Sequence, residues 1–129
     1  MSRKTTDYII IHCTATKPSQ NIGFEEVNFW HLARGWMGCG YHFIIKRDGI
    51  IEDGRTTDAI GAHCRGHNHD SIGIALVGGM NEEFTAAENN FTSSQWESLK
   101  KTLEELLIKY PDAQIVGHYM LDENKTCPN

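Results

Sequence analysis

Two short, continuous apolar runs constrain the fold of this chain more than any other feature. The first, DYIIIH at residues 7–12, ends at a polar His-Cys-Thr, and the second, SIGIALVGG at residues 71–79, is bounded by glycines. Apolar runs of this length without alternation are typical of strands that are buried on both faces of a sheet. We therefore expect two core strands, which need helices packed over them.

Two further segments have the patterns of helices. Val27 and Trp30 belong to a set of apolar residues at three-residue steps that Gly35 closes, which predicts a helix over 24–34. The segment FTSSQW at residues 91–96 combines a capping box with a hydrophobic staple, and apolar residues continue along one face after it. This pattern predicts a second helix over 93–109, which Pro111 follows.

The remaining signals complete an α/β fold. β-prone runs flank Asp48-Gly49, which predicts a hairpin, and residues 113–117 form a last short apolar run. The predicted order is β-α-β-β-loop-β-α-β, with a central mixed β-sheet flanked by helices. Because no repeat, low-complexity tract or linker divides the 129 residues, we expect a single domain over 1–129.

Composition and the N-terminus exclude several classes. Lys and Arg number 12 against 17 Asp and Glu, and a net charge of −5 disfavours nucleic acid as a partner. Only Tyr8 to Ile11 are consecutively apolar near the N-terminus, too few for a signal peptide, and no stretch approaches the roughly 20 residues of a membrane span. We therefore expect no signal peptide and no membrane insertion. In the cytoplasm thiols stay reduced, so we expect the cysteines to be buried thiols or metal ligands; disulfide pairing remains the alternative if the protein is extracellular.

One set of metal-ligand residue types lies at the ends of predicted strands. His12 ends the first strand, His118 follows the last, and Cys127 lies nine residues further on. Two histidines and a cysteine match the three protein ligands of a catalytic zinc ion, whose fourth position holds water. The spacing is no fixed metal signature, so the histidines as strand caps and Cys127 as a spare thiol remain the simpler alternative.

A second set lies in the long polar loop before residue 71. His63, Cys64, His67 and His69 form a His-rich tract of the kind that often binds metal, although solvated loop histidines are the simpler interpretation. A glycosidase with paired carboxylates is another alternative, but the sequence singles out no pair of acids. The Gly-x-Ser-x-Gly, Gly-Lys-Ser/Thr phosphate-loop and His-Glu-x-x-His motifs are absent from the sequence.

Six sequence blocks, spread over nearly the whole chain, match one known family in order. They are DYIIIHCTATKPSQNIG, WHLARGW, GYHFIIKRDG, GAHCRGHNHDSIGIALVGG, FTSSQWESL and the closing GH…KTCP. On these blocks the chain resembles the zinc-dependent N-acetylmuramoyl-L-alanine amidases, the family shared by phage endolysins and peptidoglycan-recognition proteins. The resemblance implies hydrolysis of the amide bond between N-acetylmuramic acid and L-alanine in peptidoglycan.

The resemblance also implies roles for six residues. It implies one Zn²⁺ ion per chain held by His12, His118 and Cys127, catalysis by Tyr41 and Lys125, and a substrate-binding cleft lined by His63. Zinc would activate a water molecule, and the Tyr41 hydroxyl and Lys125 would stabilise the oxyanion that forms. The chain ends at Asn129, so the family's further C-terminal segment is expected to be absent.

The resemblance finally implies a cellular setting. As a phage or prophage endolysin, the chain is expected to be a monomer that stays in the host cytoplasm until it is released to the cell wall, where peptidoglycan is its partner. Some relatives bind peptidoglycan without catalysis, and the phage members also bind and inhibit phage RNA polymerase. A non-catalytic peptidoglycan-binding or phage RNA polymerase-inhibiting protein is therefore the alternative.

Overall fold

The helices and strands follow the order that the sequence predicts. The computed structural model describes residues 2–121 and Lys125, and within them the chain forms five strands and two α-helices. The elements are β1 (Tyr8–Cys13), α1 (Phe24–Ala33), β2 (Phe43–Ile45), β3 (Ile51–Asp53), β4 (Ser71–Leu76), α2 (Ser93–Lys109) and β5 (Gln114–Gly117). Short 3-10 turns occupy Asn68–Asp70 and His118–Met120.

The strands form one mixed sheet in the order β3-β2-β4-β1-β5. β1 pairs in parallel with both β4 and β5, and β2 pairs in parallel with β4. β2 and β3 form the predicted antiparallel hairpin, and Gly49 in its turn has a φ of +90°, a value that glycine adopts without strain. The prediction of a mixed α/β sheet is confirmed.

One face of the sheet carries the main apolar core under α2. Side chains alternate between the two faces of a strand, and Ile9, Ile11, Ile72 and Ile74 all point to this face. Leu99 and Leu106 of α2 are buried against them. The predicted capping box starts the helix, because Thr92 Oγ1 accepts the Gln95 N–H at 3.0 Å and the Gln95 side chain accepts the Thr92 N–H at 2.9 Å.

The opposite face, which we call the site face, carries the alternate residues. It presents His12 from β1 and Ser71, Gly73 and Ala75 from β4. Serine, glycine and alanine are small, so β4 leaves space above the site face. On the α2 face the corresponding positions of β4 carry isoleucine and leucine, which fill the space. The segment between β3 and β4 and residues of α1 lie over the site face.

α1 differs from the sequence prediction in the face that it buries. The predicted apolar stripe included Trp30, but the structure buries Val27 and His31, whereas Phe29 is 69% exposed and Trp30 is 37% exposed. Val27 and His31 are four residues apart, which places them on one side of a helix. His31 Nδ1 accepts the Gly40 N–H at 2.8 Å. Because this hydrogen bond satisfies the buried nitrogen, a polar side chain can occupy a buried position of α1 where the sequence predicts an apolar one.

Two expectations about the chain's surroundings can be compared with the structure. None of the helices described is long and apolar enough to cross a membrane. Cys13, Cys39 and Cys64 are buried, which fits the expectation of buried thiols or metal ligands. The fourth cysteine, Cys127, lies outside the described residues.

Candidate active site

A cleft of about 970 Å³ opens on the site face. Five of the six site residues expected from the sequence line it: His12, Tyr41, His63, His118 and Lys125. The sixth, Cys127, lies outside the described residues. The cleft is within the range of roughly 300–1,000 Å³ that small-molecule and cofactor sites occupy.

His12 and His118 form the floor of the cleft. β1 and β5 are paired in parallel, with Ile11 opposite Gly117. His12 and His118 are the next residues after this pair, so they also lie side by side. Their ring centroids are 4.3 Å apart, and both side chains are buried. Residues 2–121 and Lys125 contain no group of three or more His, Cys, Asp or Glu that could hold a metal ion. The sheet therefore brings together two candidate ligands.

His63 lies against the floor because two glycines leave room for its ring. A Cβ atom on Gly73 of β4 would lie 2.5–2.8 Å from three atoms of the His63 ring, and one on Gly61 would lie 2.6 Å from it. His63 Nδ1 is 2.8 Å from His12 Nε2, and His63 Nε2 is 3.2 Å from Ser71 Oγ. Burial, then the neighbouring His12, holds the pKa of His63 well below its ordinary value, so the ring is neutral.

His42 is a fully buried neighbour of His63 that the sequence analysis missed. Its Nδ1 accepts the Gly73 N–H at 3.0 Å, so its proton is on Nε2, which donates to the Ala59 carbonyl at 2.8 Å. Arg3 also donates to Ala59 O, at 2.7 Å. Burial lowers the pKa of His42 to about 4. The available signal was strand alternation, because His42 is two residues before the site-face residue Ile44.

One wall of the cleft contains Tyr41 and a second missed histidine, His31. The Tyr41 ring lies 5.2 Å from the His12 ring and 5.5 Å from the His31 ring. His31 accepts the Gly40 N–H on Nδ1, so its Nε2 carries the proton. Burial, with Arg34 and Arg55 nearby, lowers the pKa of His31 to about 4. The cleft thus contains an uncharged N–H donor on a ring that packs near the Tyr41 ring.

The other histidines of the His-rich loop lie apart from this cluster. His67 Nδ1 contacts Asp70 Oδ1 at 3.3 Å, and its ring packs edge-on against Tyr8. The His69 side chain is 70% exposed. Of the loop histidines that the sequence offered as a rival metal tract, His63 alone hydrogen-bonds to a floor residue.

Comparisons with known proteins identify the family. The model of the N-acetylmuramoyl-L-alanine amidase family matches residues 2–129. The chain is 48% identical over 127 residues to the endolysin of Escherichia phage T7, and 47% identical to the endolysin of Enterobacteria phage T3. Each alignment covers 98% of this chain and 83% of the relative.

A solved structure has the same fold. The N-acetylmuramoyl-L-alanine amidase LysC from Clostridium intestinale URNW superposes with a TM-score of 0.83 at 33% identity. The alignment covers 97% of this chain and 77% of LysC. With the family match extending over nearly every residue, the chain belongs to the N-acetylmuramoyl-L-alanine amidase family and is an enzyme of that class.

Proposed function

We propose that this amidase uses one zinc ion to cleave the amide bond between the lactyl group of N-acetylmuramic acid and L-alanine, and that it serves phage or prophage lysis. The observation that carries the proposal is the pairing of His12 with His118, 4.3 Å apart on the floor of a cleft that Tyr41 and Lys125 also line. The kinship with phage endolysins supports the lytic role.

The donor set fits zinc. Two imidazoles and a thiolate are the ligand types that a catalytic zinc ion takes when it keeps its fourth position open. His12 and His118 would supply a pair fixed by neighbouring strands, and Cys127 would complete the set. When bound, zinc lowers the pKa of a water molecule to about 7 and polarises the scissile carbonyl.

The chain's own residues would then handle the charge and the protons. The carbonyl oxygen would gain negative charge as the amide is attacked, and the Tyr41 hydroxyl and the Lys125 side chain, which both line the cleft, would stabilise it. One of the two also passes a proton to the leaving amine of L-alanine. His31 adds a neutral N–H on the same wall, where it can bind a substrate carbonyl without changing charge.

Digestion of purified peptidoglycan tests this reaction. We expect new alanine amino groups and no new reducing ends, loss of activity with a chelator, and recovery when zinc is added back. His69→Ala is a matched control, because the exposed His69 lies away from the cleft lining and its loss should leave turnover unchanged. New reducing ends that resist the chelator would overturn the proposal and indicate a glycosidase.

The same preparation separates catalysis from binding alone. A non-catalytic peptidoglycan-binding protein would sediment with peptidoglycan but release no amino groups. For the second partner, phage RNA polymerase, a pull-down with purified polymerase at micromolar concentration is the direct test. In the lytic role the enzyme accumulates in the host cytoplasm and acts on the wall after release.

A further inference from the structure

The positions of its two hydrogen-bond partners determine which bond the Ser71 hydroxyl donates and which it accepts. Ser71 Oγ lies 2.5 Å from the His67 carbonyl oxygen and 3.2 Å from His63 Nε2. A carbonyl oxygen can only accept, so the single hydroxyl proton of Ser71 goes to His67 O. Ser71 Oγ is then the acceptor toward His63, and His63 Nε2 must carry a proton.

The proton on His63 Nε2 in turn determines the direction of the hydrogen bond between His63 and His12. The His63 ring lies between the rings of His12 and His42, with centroids 4.9 and 5.7 Å away, and an imidazole packed against two others is uncharged and carries one ring proton. With that proton on Nε2, His63 Nδ1 is an acceptor. His12 Nε2 lies 2.8 Å away and must therefore donate its own proton to His63 Nδ1. The proton of His12 is then on Nε2, and its Nδ1 keeps the lone pair.

We propose that Ser71 and His63 are positioning residues that fix the tautomer of His12, through hydrogen bonds that run from His12 Nε2 to His63, to Ser71, and to the His67 carbonyl. Their effect is to hold His12 with Nδ1 unprotonated, ready to bind a metal ion. The inference rests on the proposed zinc site, to which it adds the nitrogen of His12 that would bind the ion and the reason why it would be that nitrogen.

The arrangement follows a general need of metal sites. A ligating histidine usually donates its other ring N–H to a carboxylate, a backbone carbonyl or water, and this bond sets its tautomer and orientation. In this chain the carbonyl is reached through two neutral side chains, and Gly61 and Gly73 leave the space that the His63 ring needs. Losing such a partner typically lowers metal affinity by about 10- to 100-fold.

Histidine tautomers can be read directly by long-range ¹H–¹⁵N NMR on the full-length, metal-free protein. We expect His12 and His63 each to carry the proton on Nε2. In Ser71→Ala, His63 loses the acceptor for that proton, so His63 and His12 should each populate both tautomers. Thr102→Ala is the matched control, because Thr102 also donates a buried hydroxyl to a carbonyl, that of Ser98, but in α2 on the other side of the sheet.

Zinc affinity gives a second readout, measured by competition with a chromophoric chelator. His63→Leu removes the acceptor and should lower zinc affinity about 10- to 100-fold. His63→Asn keeps an acceptor oxygen near the place of Nδ1 and should stay close to the unsubstituted protein. A role of His63 in packing alone would make the two variants equally weak.

The outcomes distinguish this inference from the zinc proposal. Failure of the unsubstituted protein to bind zinc would overturn the zinc site, whereas the NMR tautomer in metal-free protein would still test the relay. A proton on Nδ1 of His12 would overturn the relay. So would unchanged tautomers in Ser71→Ala, or unchanged zinc affinity in His63→Leu. If a variant fails to fold, the tautomers of the unsubstituted protein decide.

Discussion

Gly73→Ala should separate the function of this protein from its stability. Gly73 is central in β4, and a Cβ atom there would have three ring atoms of His63 as its nearest neighbours, at 2.5–2.8 Å. These atoms belong to a side chain that lines the cleft, not to backbone. We therefore expect His63 to rotate away while the sheet keeps its pairing.

The free energies indicate a modest net cost. Rotation of His63 breaks its hydrogen bonds to His12 and Ser71, and neutral hydrogen bonds contribute about 0.5–1.5 kcal/mol each. Alanine is better than glycine in a strand by about 0.5–1 kcal/mol, which offsets part of the loss. Urea unfolding should show a stability loss of about 0–2.5 kcal/mol. Zinc affinity should fall about 10- to 100-fold, because His12 loses the group that orients it.

Gly66→Ala is the opposite control. Gly66 has a φ of +87° and nothing within 4 Å of its Cβ position. Alanine there is strained by about 1–2 kcal/mol, so this variant should lose stability and keep its zinc affinity. Unchanged zinc affinity in Gly73→Ala, or equal losses of affinity in both variants, would refute the reasoning.

Two further predictions concern the catalytic donors and the buried histidines. Tyr41→Phe and Lys125→Ala should each slow turnover about 100- to 1000-fold with zinc still bound, measured by amino-group release with metal analysis; near-normal rates would contradict this. The pKa of His42 is lowered to about 4, so the unfolded chain binds more protons and stability should fall by about 2–3 kcal/mol as pH drops from 6.5 to 4. In the metal-free His42→Asn variant, the free energy of unfolding measured in urea should decline less steeply with falling pH than in the unsubstituted protein. Equal slopes for the two proteins would argue against this role of His42.

Elements with strong local signals could be predicted from the sequence. The capping box at Thr92 and the apolar face after it predicted α2 with the bounds that the structure has. The apolar runs predicted β1 and the start of β4, although β4 ends at Leu76 and not at Gly79, since Gly78 and Gly79 have positive φ values that a strand does not use. These signals are local, so neighbouring residues along the chain suffice to read them.

The interior of the site depends on contacts between distant segments. His31 looked like one polar position in a helix, because its acceptor role toward Gly40 requires the fold of the following loop. Strand alternation could place His42 and Ser71 on a face of the sheet, but it could not show their hydrogen bonds, because their partners come from other strands and loops. The resemblance to a family identified His63 as a cleft residue. Its hydrogen bond to His12 could not be predicted, because it depends on the space for the His63 ring that Gly73, lacking a side chain, leaves on β4.

The alternation of side chains along β1 restricts how the gene for this protein can change in length. His12 faces the cleft while Ile11 faces α2, and each has its own partners across β4 and β5. Inserting or deleting one codon within β1 would exchange the two faces, putting an isoleucine in the cleft and an imidazole in the core. Homologous genes should therefore conserve the length of this strand even where its sequence drifts, and collect their insertions in the surface loops.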